Sequence, residues 1–410
     1  MAFFITFAHL KMKHYTFYIL LFFLLLAVSC KEKTHDTCQV VVNVDSLFIN
    51  LDEAKIAQRA ADADDFFKGL AHCGLNGTVL YAEQGRVVYE NAFGYRKLTG
   101  RHRDSLRVDD AFQLSSDSKM FTAEAVMILY AQGKLDYDDD VRKYIPELPY
   151  EGSTVRHLLN HRSGLPRYDA MADEFWPDRT KPFSNEEMIK MLAERKPERY
   201  AAPDVTFFYN NINYALLASV VERASGQHFE DFMHDNIFEP LGMDHSYIFS
   251  MREDTVVSLY ADTPVQGHTM YRRGPEVMQN DYLNGVMGDK IMFSTVDDIH
   301  KFLDALDRNL LLPDSIQSEA FKPGSEAWKH DENYGFGWRM SRNHPNAVYH
   351  FGWWKGYRSV IIRDVALNRQ LIILTNTTQN MSGEMLWSFV DDTTHHLPAV
   401  SFTTSLNPTP

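Results

Sequence analysis

Tyr357-Arg358-Ser359-Val360-Ile361-Ile362 and Gln370-Leu371-Ile372-Ile373-Leu374-Thr375 are two short runs rich in β-branched and apolar residues, and they read as a strand pair near the C-terminal end. At the other end, Gly77-Thr78-Val79-Leu80-Tyr81-Ala82 and Arg86-Val87-Val88-Tyr89-Glu90 form a similar pair, joined through Glu83-Gln84-Gly85, whose glycine suits a hairpin turn. From Met120 to about Met287 the pattern changes to helices and loops with few alternating segments. Helical spacing of apolar residues predicts a first helix over Leu51–Leu70 and a closing one over Met381–His395. Strands at both ends bracketing a helical middle predict an α/β (α+β) fold: one antiparallel sheet flanked by helices, with an inserted all-helical lobe and a cleft between the two. The expected sheet lobe covers about 51–115 and 288–400, and the helical lobe about 116–287, within one domain over 51–400. The sequence carries no internal repeat and no low-complexity stretch.

With 410 residues, of which 45% are hydrophobic, the chain can bury a large core. Its formal charge of −14, from 41 basic and 55 acidic side chains, repels phosphate backbones and argues against a nucleic-acid partner. The first thirty residues differ from the rest. Lys11 and Lys13 precede an uncharged run from Tyr15 to Val28, ending in Ala27-Val28-Ser29-Cys30 before Lys31-Glu32-Lys33. A basic start, an apolar stretch shorter than the roughly 20 residues of a spanning helix and a small-residue end read as a signal peptide over 1–30, with a polar tether over 31–50. Leu26-Ala27-Val28-Ser29-Cys30 resembles a bacterial lipobox, with Ala in place of the usual Leu three before the cysteine. The expectation is therefore a lipid-anchored protein of the cell envelope, acylated at Cys30 and held at the periplasmic or outer membrane of a Gram-negative bacterium. Cys38 and Cys73 remain, as a disulfide or as two thiols.

Three segments carry chemistry. Ser116-Asp117-Ser118-Lys119 is the one S-x-x-K of the chain and precedes a helical run, Phe121–Gln132. Positions three apart share a helix face, so the Lys119 amine can reach the Ser116 hydroxyl, while the helix start offers backbone N–H groups to a developing oxyanion. Taken alone the pattern is weak, because ordinary Ser and Lys usage gives about one chance match in a chain this long. Tyr209-Asn210-Asn211 leads into a helical run, Tyr214–Arg223; Tyr209 and Asn211 project the same way, and a phenol near an ammonium can act as a general base. His350-Phe351-Gly352-Trp353 stands just before the strand at Tyr357. There Gly352 permits close approach of a substrate, Trp353 N–H joins Ser116 N–H as oxyanion donors, and the His350 side chain is expected to polarise the Tyr209/Lys119 proton network. Each segment by itself has a structural reading; their co-occurrence lifts all three.

In this order and at these separations, Ser116-x-x-Lys119, Tyr209-x-Asn211 and His350-x-Gly352 resemble the three motifs of the β-lactamase-related serine hydrolases, which include class C β-lactamases, DD-carboxypeptidases, D-aminopeptidases and esterases. Thr154–Leu165, Phe238–Met243, Ser294–Asp298 and Tyr334-Gly335-Phe336-Gly337-Trp338 are similar to that family's scaffold segments. The resemblance spans about residues 75–376. It implies a β-lactamase/transpeptidase-like fold and acyl transfer through Ser116, with Lys119, Tyr209 and His350 as catalytic partners, no cofactor, and a small-molecule or peptide substrate. It also weighs against zinc on His157 and His161, whose spacing alone can hold the metal; His395-His396 reads as a solvated helix end.

The departures are informative. His350 stands where β-lactamases and many penicillin-binding enzymes have Lys, so a constant cation gives way to a group that titrates near neutrality. That points towards esterase or peptidase activity, with β-lactamase last, and predicts loss of activity at acid pH as the imidazole charges. Trp353-Trp354-Lys355 is expected to narrow the pocket or build an aromatic wall, with Lys355 returning positive charge. Ile291 replaces a common glycine after Gly288-Asp289-Lys290. The reading from another class is a non-catalytic envelope binding protein of the same fold.

Overall fold

The computed structural model describes residues 53–101, 103–329, 332–379, 381 and 383–391. The leader, Cys30, Cys38 and His395-His396 lie outside the described residues. In chain order the strands are β1 (Gly77–Glu83), β2 (Arg86–Phe93), β3 (Phe112–Gln113), β4 (Tyr247–Ile248), β5 (His268–Tyr271), β6 (Gly274–Val277), β7 (Met292–Ser294), β8 (Glu332–Tyr334), β9 (Arg339–Ser341), β10 (His344–Trp354), β11 (Tyr357–Asp364) and β12 (Arg369–Thr375). The helices that position the site are α1 (Glu53–His72), α2 (Ser118–Ala131), α3 (Val155–Leu159), α4 (Tyr168–Phe175), α5 (Asn211–Ser225), α6 (Val296–Asp307) and α7 (Gly383–Asp391).

Seven strands form one antiparallel sheet in the order β2-β1-β12-β11-β10-β9-β8. The N-terminal hairpin docks on the last strand through pairs such as Leu80↔Ile372 and Gly77↔Thr375, so the sheet is assembled from both ends of the sequence. Side chains alternate across it. Leu80, Ile361, Ile372 and Leu374 join the core shared with the helical lobe. Val79, Tyr81, Val360, Ile362, Leu371 and Ile373 face the opposite way, onto Phe66 and Phe67 of α1 and Phe389 of α7. The Phe66 and Phe389 rings stack at 4.7 Å.

The helix after the S-x-x-K motif is buried on every side from Ser118 to Leu129, as expected of a helix apolar all round. Phe121 stacks on Phe302 of α6 at 4.1 Å. Such a helix has no freedom to rotate, which fixes the direction in which its first turn points.

Two expectations need correction. His350 does not precede a strand; it lies inside β10, an 11-residue strand. Period-two hydrophobicity fails there because His350 and Gly352 occupy lobe-facing positions that usually carry apolar side chains. The region 120–287 holds more strand than expected, with β4 pairing β7 and a β5–β6 hairpin. The closing helix spans Gly383–Asp391 within the described residues.

Candidate active site

Ser116 sits in a 3-10 turn, Ser115–Asp117, that runs directly into α2. Ser115 has φ 53°, a left-handed conformation rare for a side-chain-bearing residue. Three contacts hold it. Leu114 N–H donates to Met292 O of β7 at 2.8 Å, Ser359 Oγ of β11 donates to Leu114 O at 2.7 Å, and Ser118 Oγ accepts from Met292 N–H at 3.2 Å. The turn is thereby pinned between the main sheet and β7, with half-buried Ser116 at the positive end of a 14-residue helix.

Lys119 is fully buried. Its Nζ donates to Ser116 Oγ at 3.3 Å and to the Asp289 carbonyl at 2.7 Å, and it lies 5.1 Å from the centre of the Tyr209 ring. Tyr209 immediately precedes Asn210, which caps α5 by accepting from Ile212 N–H. The Tyr209 hydroxyl and Asn211 Oδ1 are both buried and have no hydrogen-bond partner among the described residues. An amine within reach of a hydroxyl, beside a phenol with an open valence, is an arrangement in which a nucleophile can lose its proton.

His350 is fully buried and lies behind the Ser116 turn. Its Nδ1 is 3.0 Å from Asp117 Oδ1, and its Nε2 is 3.0 Å from the Tyr334 hydroxyl. The Phe351 carbonyl, which can only accept and lies 3.2 Å from Nδ1, assigns the proton to Nδ1. Burial holds the imidazole well below its ordinary value of 6.5, helped by the charges of Arg339 and Lys119. Burial pushes the Asp117 carboxyl up to about 7, with the Lys119 and Arg339 charges opposing. Two expectations about His350 are thus corrected. Both ring nitrogens are committed to Asp117 and Tyr334, so it makes no hydrogen bond to Lys119 or Tyr209. It stays neutral through the pH range in which an exposed histidine would charge.

Gly352 also differs from its expected role. A Cβ there would come within 2.2 Å of both Leu114 O and Ser359 Oγ, so the missing side chain admits the Ser115–Asp117 turn against β10, in the place foreseen for a substrate. Trp353 alternates to the side of Tyr349 and Phe351, away from His350, and its side chain is 62% exposed. It builds no wall of the cleft, although the neighbouring Trp354 packs against the lobe-facing core. Strand β9 pairs with β10 only up to Tyr349, leaving the Phe351–Trp354 backbone without a strand on that side. Lys355 is ion-paired to Asp281.

His157 and His161 do not share a helix. His157 caps the start of α3, and His161 lies beyond its end with φ 55°. His161 Nδ1 accepts from Asn210 N–H at 3.3 Å and contacts Asn213 Nδ2 at 2.9 Å, and its ring lies 4.4 Å from that of Tyr209. Asp117, His161, Tyr334, Asp289 and Arg339 are neighbours of the site that motif reading missed as such. Asp117 lies inside the S-x-x-K segment, and Tyr334 opens the Tyr-Gly-Phe-Gly-Trp segment. There Gly337, at φ 84°, lets the turn abut α2: a Cβ would sit 2.8 Å from Met120 Cα.

A family model described as Beta-lactamase matches residues 62–395. The chain belongs to the Beta-lactamase family. Penicillin-binding protein 4* of Bacillus subtilis (strain 168) is 34% identical over 318 residues, covering 75% of this chain and 70% of that protein. Among solved structures, a penicillin-binding protein from Bacillus halodurans superposes with a TM-score of 0.66 at 23% identity, covering 78% of this chain and 95% of its own. A D-amino acid amidase from Ochrobactrum anthropi SV3 gives a TM-score of 0.60 at 23% identity, covering 78% and 90%; at these identities the likeness shows the fold. As a member of the Beta-lactamase family with relatives of this kind, the chain is a serine hydrolase in general type. Its sheet with attached helices is the mixed α/β architecture that the motifs implied.

Proposed function

We propose that Ser116 attacks the carbonyl of an ester or amide and forms a covalent acyl-enzyme. Lys119 and Tyr209 take the serine proton and pass it to the leaving group, and water then releases the acyl group. The backbone N–H groups of Ser116 and Trp353 hold the oxyanion, at the start of α2 and on the part of β10 that β9 leaves open. Asn211 Oδ1 offers an acceptor to the substrate beside Tyr209. His350 acts from behind, keeping Asp117 and the nucleophile turn in register.

The observation that carries this reading is the 3.3 Å contact between Lys119 Nζ and Ser116 Oγ at the first turn of a helix buried on every side from Ser118 to Leu129. Relatives named as penicillin-binding proteins and D-amino acid amidases support amide and ester carbonyls as the substrate class, with peptidoglycan-like peptides among them. Among the described residues no helix is long and apolar enough to cross a membrane, and attachment to the envelope through acylated Cys30 is part of the same proposal. A screen of p-nitrophenyl esters, D-amino-acid amides, muropeptides and nitrocefin tests it. Turnover of at least one ester or amide, abolished by Ser116→Ala, is expected. Equal turnover by wild type and Ser116→Ala would contradict the assignment, and rapid hydrolysis of nitrocefin alone would reverse the order of substrates.

A further inference from the structure

Immediately before β7, the segment Gly288-Asp289-Lys290 runs past the first turns of α2 and supplies backbone acceptors to it. Gly288 O accepts from Thr122 Oγ1 and Asp289 O from Lys119 Nζ, each at 2.7 Å. The side chains of this segment form a cluster sealed from water. Lys290 Nζ lies 3.0 and 3.1 Å from the two Asp289 carboxylate oxygens. It also donates to the Tyr168 hydroxyl of α4, which in turn donates to Asp289 Oδ2 at 2.7 Å. Asp289 is 0% and Lys290 2% exposed, and the ammonium sits 5.2 Å from the centre of the Trp354 ring.

Burying an ion pair so completely rarely adds stability, because desolvating both charges offsets their attraction. Nor does Lys290 reach a substrate, since its three donors are directed into the cluster. The acyl-transfer steps proposed above use none of these side chains. What the cluster does hold is the one backbone carbonyl that binds the Lys119 amine.

We propose that Asp289 and Lys290 are positioning residues for Lys119: their ion pair, tied to Tyr168, fixes the Asp289 carbonyl on the amine and sets a balanced pair of charges beside it. This rests on Lys119 serving as the base for Ser116. The other groups facing the amine are Asp117 from its own turn, Tyr209 and Tyr214 from α5 and the residue pair before it, His161 from beyond α3, and His350 from β10, with Arg339 of β9 over the Tyr209 ring at 4.7 Å. The two histidines are held neutral by burial. Lys290 is therefore a close second ammonium, and Asp289 is the carboxylate that offsets it. Both amines bind Asp289, Lys119 at its carbonyl and Lys290 at its carboxylate; burial lowers the Lys290 amine from its ordinary value, Asp289 opposes that, and repulsion from Lys119 adds to the lowering.

The test uses the full-length protein and the rate of labelling by an alkyl fluorophosphonate as a function of pH. Lys290→Met removes the cation and leaves the carboxylate, so the acid limb of labelling moves up by about 1 pH unit. Asp289→Asn removes the anion and moves the limb down by about as much. The double variant and Lys290→Arg return it close to wild type. Packing alone would slow labelling or lower the melting temperature without moving the limb, or would move it the same way in both variants; either result overturns the proposal. If Asp289→Asn does not fold, the contrast between Lys290→Met and Lys290→Arg decides, and an unmoved limb in both overturns it. Labelling that persists in Ser116→Ala overturns the underlying acyl-transfer reading and this inference together. Labelling lost in Ser116→Ala, with unmoved limbs in the Lys290 and Asp289 variants, overturns the inference alone.

Discussion

His350 Nδ1 donates to Asp117 Oδ1 across 3.0 Å, with both residues fully buried. The third motif thus reaches back to the residue beside Ser116, and its histidine braces the Ser116 turn from inside the sheet. A lysine at this position would put a charge where burial, with the Arg339 and Lys119 charges, holds the histidine neutral, so the substitution changes the role of the position as well as its pH behaviour.

Asp117→Asn keeps an acceptor for His350 and removes a buried acid. The carboxyl is pushed up to about 7 in the folded protein from an ordinary 3.8. Below 3.8 both folded and unfolded chains hold the proton; between 3.8 and about 7 the unfolded chain releases it while the folded one keeps it, so wild-type stability falls as pH rises through this window. The stability of Asp117→Asn relative to wild type should therefore increase from about pH 4 to about pH 7 and level off beyond. Urea unfolding at several pH values measures it, and a difference independent of pH would contradict the burial account.

Tyr209→Phe removes a hydroxyl that has no hydrogen-bond partner among the described residues. Its removal leaves no orphaned group, so urea stability should change by less than about 0.5 kcal/mol. Labelling of Ser116 by a fluorophosphonate should slow about 100-fold or more if the phenol carries the proton. Unchanged labelling would remove Tyr209 from the mechanism.

Gly352→Ala places a methyl group within 2.2 Å of Leu114 O and Ser359 Oγ. Both belong to the support of the nucleophile turn, and backbone cannot move aside as a side-chain tip does. Destabilisation of about 1–3 kcal/mol, measured by urea unfolding, is expected together with slower labelling. A stable, fully active variant would show that the turn does not depend on this contact.

Cys30→Ser should release the protein from the membrane fraction, since a single short apolar run without acyl chains gives little lasting membrane affinity. Fractionation of expressing cells, with mass analysis of the N-terminal peptide, checks it; a variant that stays membrane-bound would contradict lipid attachment at Cys30.

The sheet was legible where both faces of a strand carry apolar side chains, as in β1, β11 and β12. Strand β10 was not, because the functional His350 and the packing-driven Gly352 interrupt its alternation. Strands β8 and β9, of three residues each, are too short for any period to show. That Ser116, Lys119 and Tyr209 come together was legible through their order and spacing. The surrounding groups were not: Asp117, Tyr334 and His161 converge only through tertiary contacts between residues up to 233 positions apart. Lys290 is a charged residue in a segment whose burial follows from the docking of α4, which no local pattern reveals.

The central claim is that Ser116 carries the acyl group. Mixing the protein with an ester or amide substrate that it turns over, quenching rapidly in acid and locating the mass increase by peptide sequencing tests it most directly. The account predicts one acyl adduct on the peptide containing Ser116, absent in Ser116→Ala and accumulating more slowly in Tyr209→Phe. An adduct on another residue, or turnover without any adduct while Ser116→Ala retains activity, would contradict it.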